Sequence, residues 1–234
     1  MGSIFDKPGG DADILNRKDY LNREAYIKEK YDVDPKERDK RLDKLLKDYL
    51  KDQKLIENYG EDARVSGDAW VSGSAEVTGD ARVYGDAWVY GDARVSGDAW
   101  VSGDAIVCDN AQVSGDARVS GDAWVSGDAW VYGDARVSGN ARVYGDAEIS
   151  GAAKVYGDAE VYDDAKVFDS ARVSGNARVS GNAEVYGSAK VSGAAWVYGD
   201  AMVYGATRVF DSAKVYGSAS VSGDAVVSGY AIIN

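Results

Sequence analysis

The sequence predicts an all-β solenoid, a three-sided parallel β-helix of about nine coils, preceded by an N-terminal α-helical cap. A six-residue unit, Asp-Ala-x-Val-(Ser/Tyr)-Gly, recurs without interruption from Asp62 to Gly229. A short unit of fixed length is typical of chains whose units stack along one axis. The preceding residues lack this unit and have helical spacing of apolar residues. We therefore divide the chain into residues 1–61, a lead-in with a two-helix cap, and residues 62–234, the repeat domain.

Residues 1–61 are expected to begin with a Gly- and Pro-containing lead-in, followed by two helices. The first helix is predicted over residues 16–31. The second is predicted to begin at Asp34 and Pro35, an N-cap and a first-turn proline, and to end near Gly60. Leucines spaced three and four apart give it an apolar stripe. We expect this stripe to cover the unpaired edge of the first coil; a helical oligomerisation element is the alternative.

Each repeat unit is predicted to form one short strand and one bend. In the unit that begins at Asp80, Ala81 and Val83 are two residues apart and so point to the same, inner side of a strand. Gly85 ends the unit because glycine adopts positive φ readily, and the following Asp bonds nearby amides. Three units close a coil of 18 residues. Asp replaces the glycine in four units and is expected to keep the same left-handed backbone: Asp109, Asp163, Asp169 and Asp211.

This unit resembles the repeat of the hexapeptide-repeat superfamily, in which an aliphatic residue is followed four positions later by a small one, as Val65 is by Ala69. The resemblance covers about three-quarters of the chain and implies a left-handed parallel β-helix. Well-known enzymes of this superfamily are acyltransferases that depend on a histidine base. The chain contains no histidine, and no insertion breaks the repeat. We therefore expect a non-catalytic member without catalytic residues, cofactor or metal; a degenerate acyltransferase-like protein is an alternative.

The 18-residue period sorts the outward-facing residues onto three faces. The basic face carries eight cationic residues, the basic ladder: Arg64, Arg82, Arg118, Arg136, Lys154, Arg172, Lys190 and Arg208. The aromatic face carries four of the six tryptophans, and its candidate interaction residues are Trp70, Trp88, Tyr90, Trp124, Tyr144, Trp196 and Tyr198. The mixed face runs from Glu76 to Ser220 and carries both charges.

The aromatic face is the predicted interaction surface, because exposed Trp and Tyr are frequent anchors of protein interfaces. Its partner would be another protein or a second copy of the chain. Stacking of like rings between neighbouring strands, without any partner, is an alternative interpretation. Carbohydrate stacking is another, although the sequence shows no polar groups that would orient a sugar.

The basic ladder has two interpretations, the binding of a polyanion and the neutralisation of the corner Asp, which stands two residues before Arg64, Arg82, Arg118 and Arg136. We do not expect direct nucleic-acid binding. Coils about 4.8 Å apart match poorly with phosphates about 3.4 Å apart. In addition, the chain has a net charge of −12, with 39 acidic and 27 basic residues.

Aspartates begin 11 of the first 13 units, and we call those of one corner the acidic corners: Asp80, Asp98, Asp116 and Asp134. Stacked carboxylates at this density approach the charge spacing of duplex DNA. The alternative function is therefore an acidic DNA-mimic inhibitor of a nucleic-acid-binding or defence enzyme. Asp is also a routine residue of bends. Calcium binding is a weaker interpretation, because the calcium-binding β-roll repeat has nine residues.

Other features of the sequence bear on cysteine chemistry, localisation and assembly. The single cysteine, Cys108, allows no intramolecular disulfide and has no histidine to activate it. No signal peptide and no apolar run of membrane-spanning length is seen, so we expect a cytoplasmic protein without membrane contact. The C-terminal edge, Tyr230, Ile232 and Ile233, is expected to be buried in a homo-oligomer. The function predicted overall is a non-catalytic binding or scaffold protein.

Overall fold

A computed structural model describes residues 62–234, which form an all-β parallel solenoid of about nine coils with three sheets. The predicted lead-in and two-helix cap, residues 1–61, lie outside the described residues. Every repeat unit contributes one strand, and no helix occurs between residues 62 and 234. These observations confirm the predicted three-sided architecture; the left hand of the coil stays a prediction.

The 29 strands are distributed over the three predicted faces. The basic face contains β1 (Arg64–Val65), β4 (Arg82–Val83), β7 (Trp100–Val101), β10 (Arg118–Val119), β13 (Arg136–Gly139), β16 (Lys154–Gly157), β19 (Arg172–Val173), β22 (Lys190–Val191), β25 (Arg208–Val209) and β28 (Val226–Val227). The aromatic face contains β2 (Trp70–Val71), β5 (Trp88–Val89), β8 (Ile106–Val107), β11 (Trp124–Val125), β14 (Arg142–Val143), β17 (Glu160–Val161), β20 (Arg178–Val179), β23 (Trp196–Val197), β26 (Lys214–Val215) and β29 (Ile232–Ile233). The mixed face contains β3 (Glu76–Val77), β6 (Arg94–Val95), β9 (Gln112–Val113), β12 (Trp130–Val131), β15 (Glu148–Ile149), β18 (Lys166–Val167), β21 (Glu184–Val185), β24 (Met202–Val203) and β27 (Ser220–Val221).

Each strand pairs in parallel with the strand three units later, so equivalent residues of successive coils are 18 positions apart. Trp70 is aligned with Trp88, and Arg118 with Arg136. This register is the one that the sequence period predicts, and it places equivalent side chains in columns along the solenoid. Such columns make neighbouring coils, rather than distant parts of the chain, the partners of each outward side chain.

The core is a narrow column of alanine and valine. From Ala75 to Val203 the Ala and Val of every unit are fully buried, and Ile149 replaces valine once. Thr207 occupies one alanine position, and its Oγ1 donates a hydrogen bond of 2.7 Å to the carbonyl of Tyr204. That bond satisfies the buried hydroxyl, as burial of a polar group requires.

The bends bring the backbones of successive coils so close that a side chain at the glycine position has little room. Gly127 has φ +69°, and a Cβ atom there would lie 2.9 Å from the amide nitrogen of Gly145. The four aspartates at this position have φ between 58° and 61°, which confirms their predicted left-handed backbone. Their Oδ2 atoms accept hydrogen bonds of 3.0–3.2 Å from the glycine amide one coil later.

Candidate interaction faces

The first part of the aromatic face is an exposed aromatic patch. Trp70 is 59% exposed and Trp88 is 50% exposed, and their ring centroids are 5.8 Å apart. With Ser72 and Tyr90 they line a shallow recess of about 230 Å³. The core beneath is filled by Val71 and Val89, so both indoles must point outward. We call these four lining residues the Trp70/Trp88 patch.

A second recess on the same face has a different lining. Trp124, which is 42% exposed, meets Asp122, Asn140, Arg142, Asp158 and Glu160 around a volume of about 390 Å³. Two adjacent columns supply these residues. Asp122, Asn140 and Asp158 form the column at the corner, and Trp124, Arg142 and Glu160 form the column on the strands. We call it the Trp124 recess.

Hydrogen bonds and ion pairs fix the Trp124 recess. The side-chain amide nitrogen of Asn140 donates a hydrogen bond of 2.8 Å to Oδ1 of Asp158. Glu160 lies between two guanidinium groups, 4.0 Å from Arg142 and 3.3 Å from Arg178. These contacts run along the columns, so the polar groups are held by neighbouring coils rather than by the bends of their own coil.

Cys108 anchors this part of the face. Its side chain is buried, and its Sγ accepts a hydrogen bond of 3.3 Å from the indole Nε1 of Trp124. Burial raises the pKa of the Cys108 thiol, so the thiol stays protonated at pH values above the usual pKa of cysteine. A hydrogen bond between the side chains of Tyr90 and Cys108, followed by burial, raises the pKa of Tyr90. A protonated, buried thiol is a poor nucleophile. That Cys108 is inert stays a prediction.

The remaining predicted residues of the aromatic face have ring partners within the chain. Tyr144 stacks on Tyr162 with centroids 5.0 Å apart, and Tyr198 stacks on Tyr216 at the same distance. Trp196 lies 4.6 Å from Tyr198. Burial, and then the charge of Glu160, raises the pKa of Tyr144. For Tyr144 and Tyr198 the structure therefore shows the cross-strand stacking that the sequence allowed as an alternative, whereas Trp196 contacts a ring of its own unit.

The basic ladder lies on a single sheet, as its spacing predicts. Trp100 interrupts it and packs between two cations, with Cζ of Arg82 5.2 Å and Cζ of Arg118 4.9 Å from its ring. The four ion pairs within 4.0 Å among residues 62–234 all belong to the mixed and aromatic faces. Within these residues the ladder therefore does not neutralise the corner aspartates by direct ion pairs.

Some aspartates form continuous columns, with like charges one coil apart, as in Asp86, Asp104 and Asp122. Desolvation, followed by the charges of Asp122 and Asp86, raises the pKa of Asp104. Asparagines replace aspartates elsewhere in these columns. Asn110, Asn140 and Asn182 each donate a hydrogen bond of 2.8 Å to the aspartate one coil later. The acidic corners Asp80, Asp98, Asp116 and Asp134 form such a continuous column before the basic face. Residues 62–234 contain no group of three or more His, Cys, Asp or Glu arranged to hold a metal ion.

Sequence reasoning missed the polar lining of the Trp124 recess and the ring stacks of the mixed face. Phe168, Tyr186 and Tyr204 stack in one column with centroids 4.8 and 4.9 Å apart. The signal was present in the 18-residue period. Reading the corner and strand columns side by side would have placed Asn140 and Asp158 beside Trp124.

The C-terminal edge is exposed in the single chain. Ile232 and Ile233 form β29, which pairs with β26, and Tyr230 lies in the bend before it. Its burial in an oligomer stays a prediction. None of the described residues forms a helix long and apolar enough to cross a membrane.

Comparison with known families agrees with this architecture. Six stretches of the chain match the YdcK beta solenoid repeat, residues 87–103, 93–109, 111–127, 129–145, 135–151 and 171–187. The stretches overlap, lie within the described solenoid and together cover about a third of the chain. The chain is thus similar to a β-solenoid repeat family. No curated protein matches it. Membership of the hexapeptide-repeat superfamily stays a prediction.

Proposed function

We propose that this β-solenoid is a non-catalytic, cytoplasmic binding or scaffold protein that presents the Trp70/Trp88 patch to a protein partner. The observation that carries the proposal is the pair of indoles, each at least half exposed and in ring contact, around an apolar recess. Clustered exposed tryptophans are unusual on a surface without a partner, and they are frequent hot spots of protein interfaces.

The patch differs from the Trp124 recess in having no charged residue in its lining. Loss of water from such a recess costs little, because few polar groups lose hydrogen bonds. Its rigid backbone also limits the conformational entropy that binding would remove. A second copy of the chain would use the same chemistry, so the experiment must separate the two kinds of partner.

The test compares the wild-type chain with the double variant Trp70→Ser/Trp88→Ser and the control Trp130→Ser. Trp130 is 48% exposed but lies on the mixed face. We expect a partner captured from native lysate, then purified, to bind the double variant at least tenfold more weakly and the control unchanged, since hot-spot truncations cost about 2 kcal/mol or more. Equal binding to all three proteins would refute the proposal. Self-association would instead appear as a native mass at a multiple of 24.9 kDa that the double variant loses.

A second candidate function, the acidic DNA-mimic inhibitor, is favoured by the continuous column of Asp80, Asp98, Asp116 and Asp134 at one corner of successive coils. Its target would be a nucleic-acid-binding or defence enzyme. This function predicts that binding weakens steeply with salt and is lost in Asp98→Asn/Asp116→Asn. Binding that depends on the tryptophans but not on these aspartates or on salt would exclude it.

A further inference from the structure

We propose that the Trp124 recess is a binding site for a neutral pyranose oligosaccharide. The site is separate from the Trp70/Trp88 patch, and the proposal does not depend on the function proposed for that patch. Trp124 provides a partly exposed indole, while Asp122, Asn140, Arg142, Asp158 and Glu160 surround it with hydrogen-bonding groups.

The indole is held in place before any ligand arrives. Its Nε1 donates to the buried Sγ of Cys108 at 3.3 Å, and the side chain is still 42% exposed. An aromatic ring fixed in this way offers a flat apolar surface at little entropic cost. The C–H groups on one side of a pyranose ring form a matching apolar surface.

Asn140 and Arg142 are also held, by contacts with acidic neighbours, and each keeps some hydrogen-bonding capacity. Asn140 uses one N–H on Asp158 and retains its carbonyl oxygen and its second N–H. Glu160 holds Arg142 at 4.0 Å, and this guanidinium is well exposed and retains further donors. Carboxylate acceptors thus alternate with amide and guanidinium donors along two columns. Neighbouring sugar hydroxyls, which both donate and accept, suit such an alternation.

The lining also distinguishes this ligand from others. Asp122, Asp158 and Glu160 outnumber Arg142, so the recess is negative and disfavours phosphates and uronic acids. Burying these charged groups under a dry protein interface would carry a desolvation cost. The recess has a volume of about 390 Å³ and is open to solvent.

The test uses four tetrasaccharides as probes for titration calorimetry: cellotetraose, chitotetraose and mannotetraose as neutral ligands, and tetragalacturonate as the acidic comparison. We expect at least one neutral probe to bind and tetragalacturonate not to bind. Trp124→Ala should weaken that binding at least tenfold, and Trp124→Phe should restore part of it. Asp158→Asn should weaken it about threefold to tenfold.

The matched controls are Trp88→Ala, on the same face but in the other recess, and Trp130→Ala, on the mixed face. Both should bind the sugar as the wild type does, and circular dichroism should show the same fold for every variant. The proposal is overturned if no neutral probe binds, if Trp124→Ala binds normally, or if tetragalacturonate binds most tightly. Sugar binding that survives in Trp70→Ser/Trp88→Ser separates this site from the protein-binding patch.

Discussion

The two halves of the solenoid have the same core but different outer columns. In the first half, residues 62–139, Asp begins 11 of 13 units and an aromatic residue follows the inner valine in three. In the second half, residues 140–234, Asp begins five of 15 complete units and the aromatic position is filled in nine. All four near-parallel ring stacks, with interplanar angles of 1–6°, lie in the second half.

The inner residues determine the coil and leave the outer columns free to differ. The inner Ala and Val of each unit are fully buried from Ala75 to Val203, through both halves. The first half therefore carries closely spaced carboxylates and exposed tryptophans. The second half carries stacked rings on the same framework, and these rings stabilise it. Surfaces that cost stability in this way are typical of binding regions.

The largest effect is expected at the bends, where Gly121 represents the first half and Gly175 the second. A Cβ atom would lie 3.0 Å from the amide nitrogen of Gly139 in one case and 3.1 Å from that of Gly193 in the other. Because both glycines also have positive φ, Gly→Ala should cost about 2–4 kcal/mol at either site. Urea denaturation followed by circular dichroism measures this cost.

Gly→Asp at the same two sites distinguishes the halves. Natural aspartates at this position accept a hydrogen bond from the next coil, and three of the four lie in the second half. Gly175→Asp, between Ser174 and Asn176, should therefore cost less than Gly175→Ala. Gly121→Asp places a second carboxylate beside Asp122, so it should recover less of the free energy of unfolding that the Gly→Ala change loses. Equal recovery at both sites would show that the carboxylate columns do not distinguish the halves.

The second effect concerns the ring stacks. Tyr186 contacts a ring on each side in its column, whereas Tyr132, in the same column, has Ser114 and Ser150 as column neighbours. Tyr186→Ser should lower the free energy of unfolding by about 1–3 kcal/mol, from two stacks of about 0.5–1.5 kcal/mol each. Tyr132→Ser, measured in the same way, should lower it less. A similar loss for both would mean that stacking adds nothing beyond burial.

The sequence predicted the fold well because the inner positions repeat with almost no exceptions. The period of 18 placed every outward residue on its correct face, including Trp70 with Trp88 and the whole basic ladder. The contacts among outward side chains were less predictable, because they depend on rotamers and on which columns lie side by side. The clamp of Trp100 between the guanidinium groups of Arg82 and Arg118 depends on the rotamers of those side chains.

The smallest effect tests the repulsion in the first half. Because the pKa of Asp104 is raised in the folded chain, its ionisation opposes folding, and the free energy of unfolding should fall as the pH rises above the usual pKa of Asp. Asp104→Asn should therefore raise the unfolding midpoint at pH 7 and have no such effect near pH 3, where the carboxyl is protonated in both states. The new amide would donate to Asp122, as Asn140 donates to Asp158. Asp224→Asn is the control, because it removes the same charge at a bend where the preceding coil carries Ala206 rather than an aspartate in that column. A gain at pH 7 that is equal in both variants would show that net charge, rather than the continuous column, limits the stability of the first half.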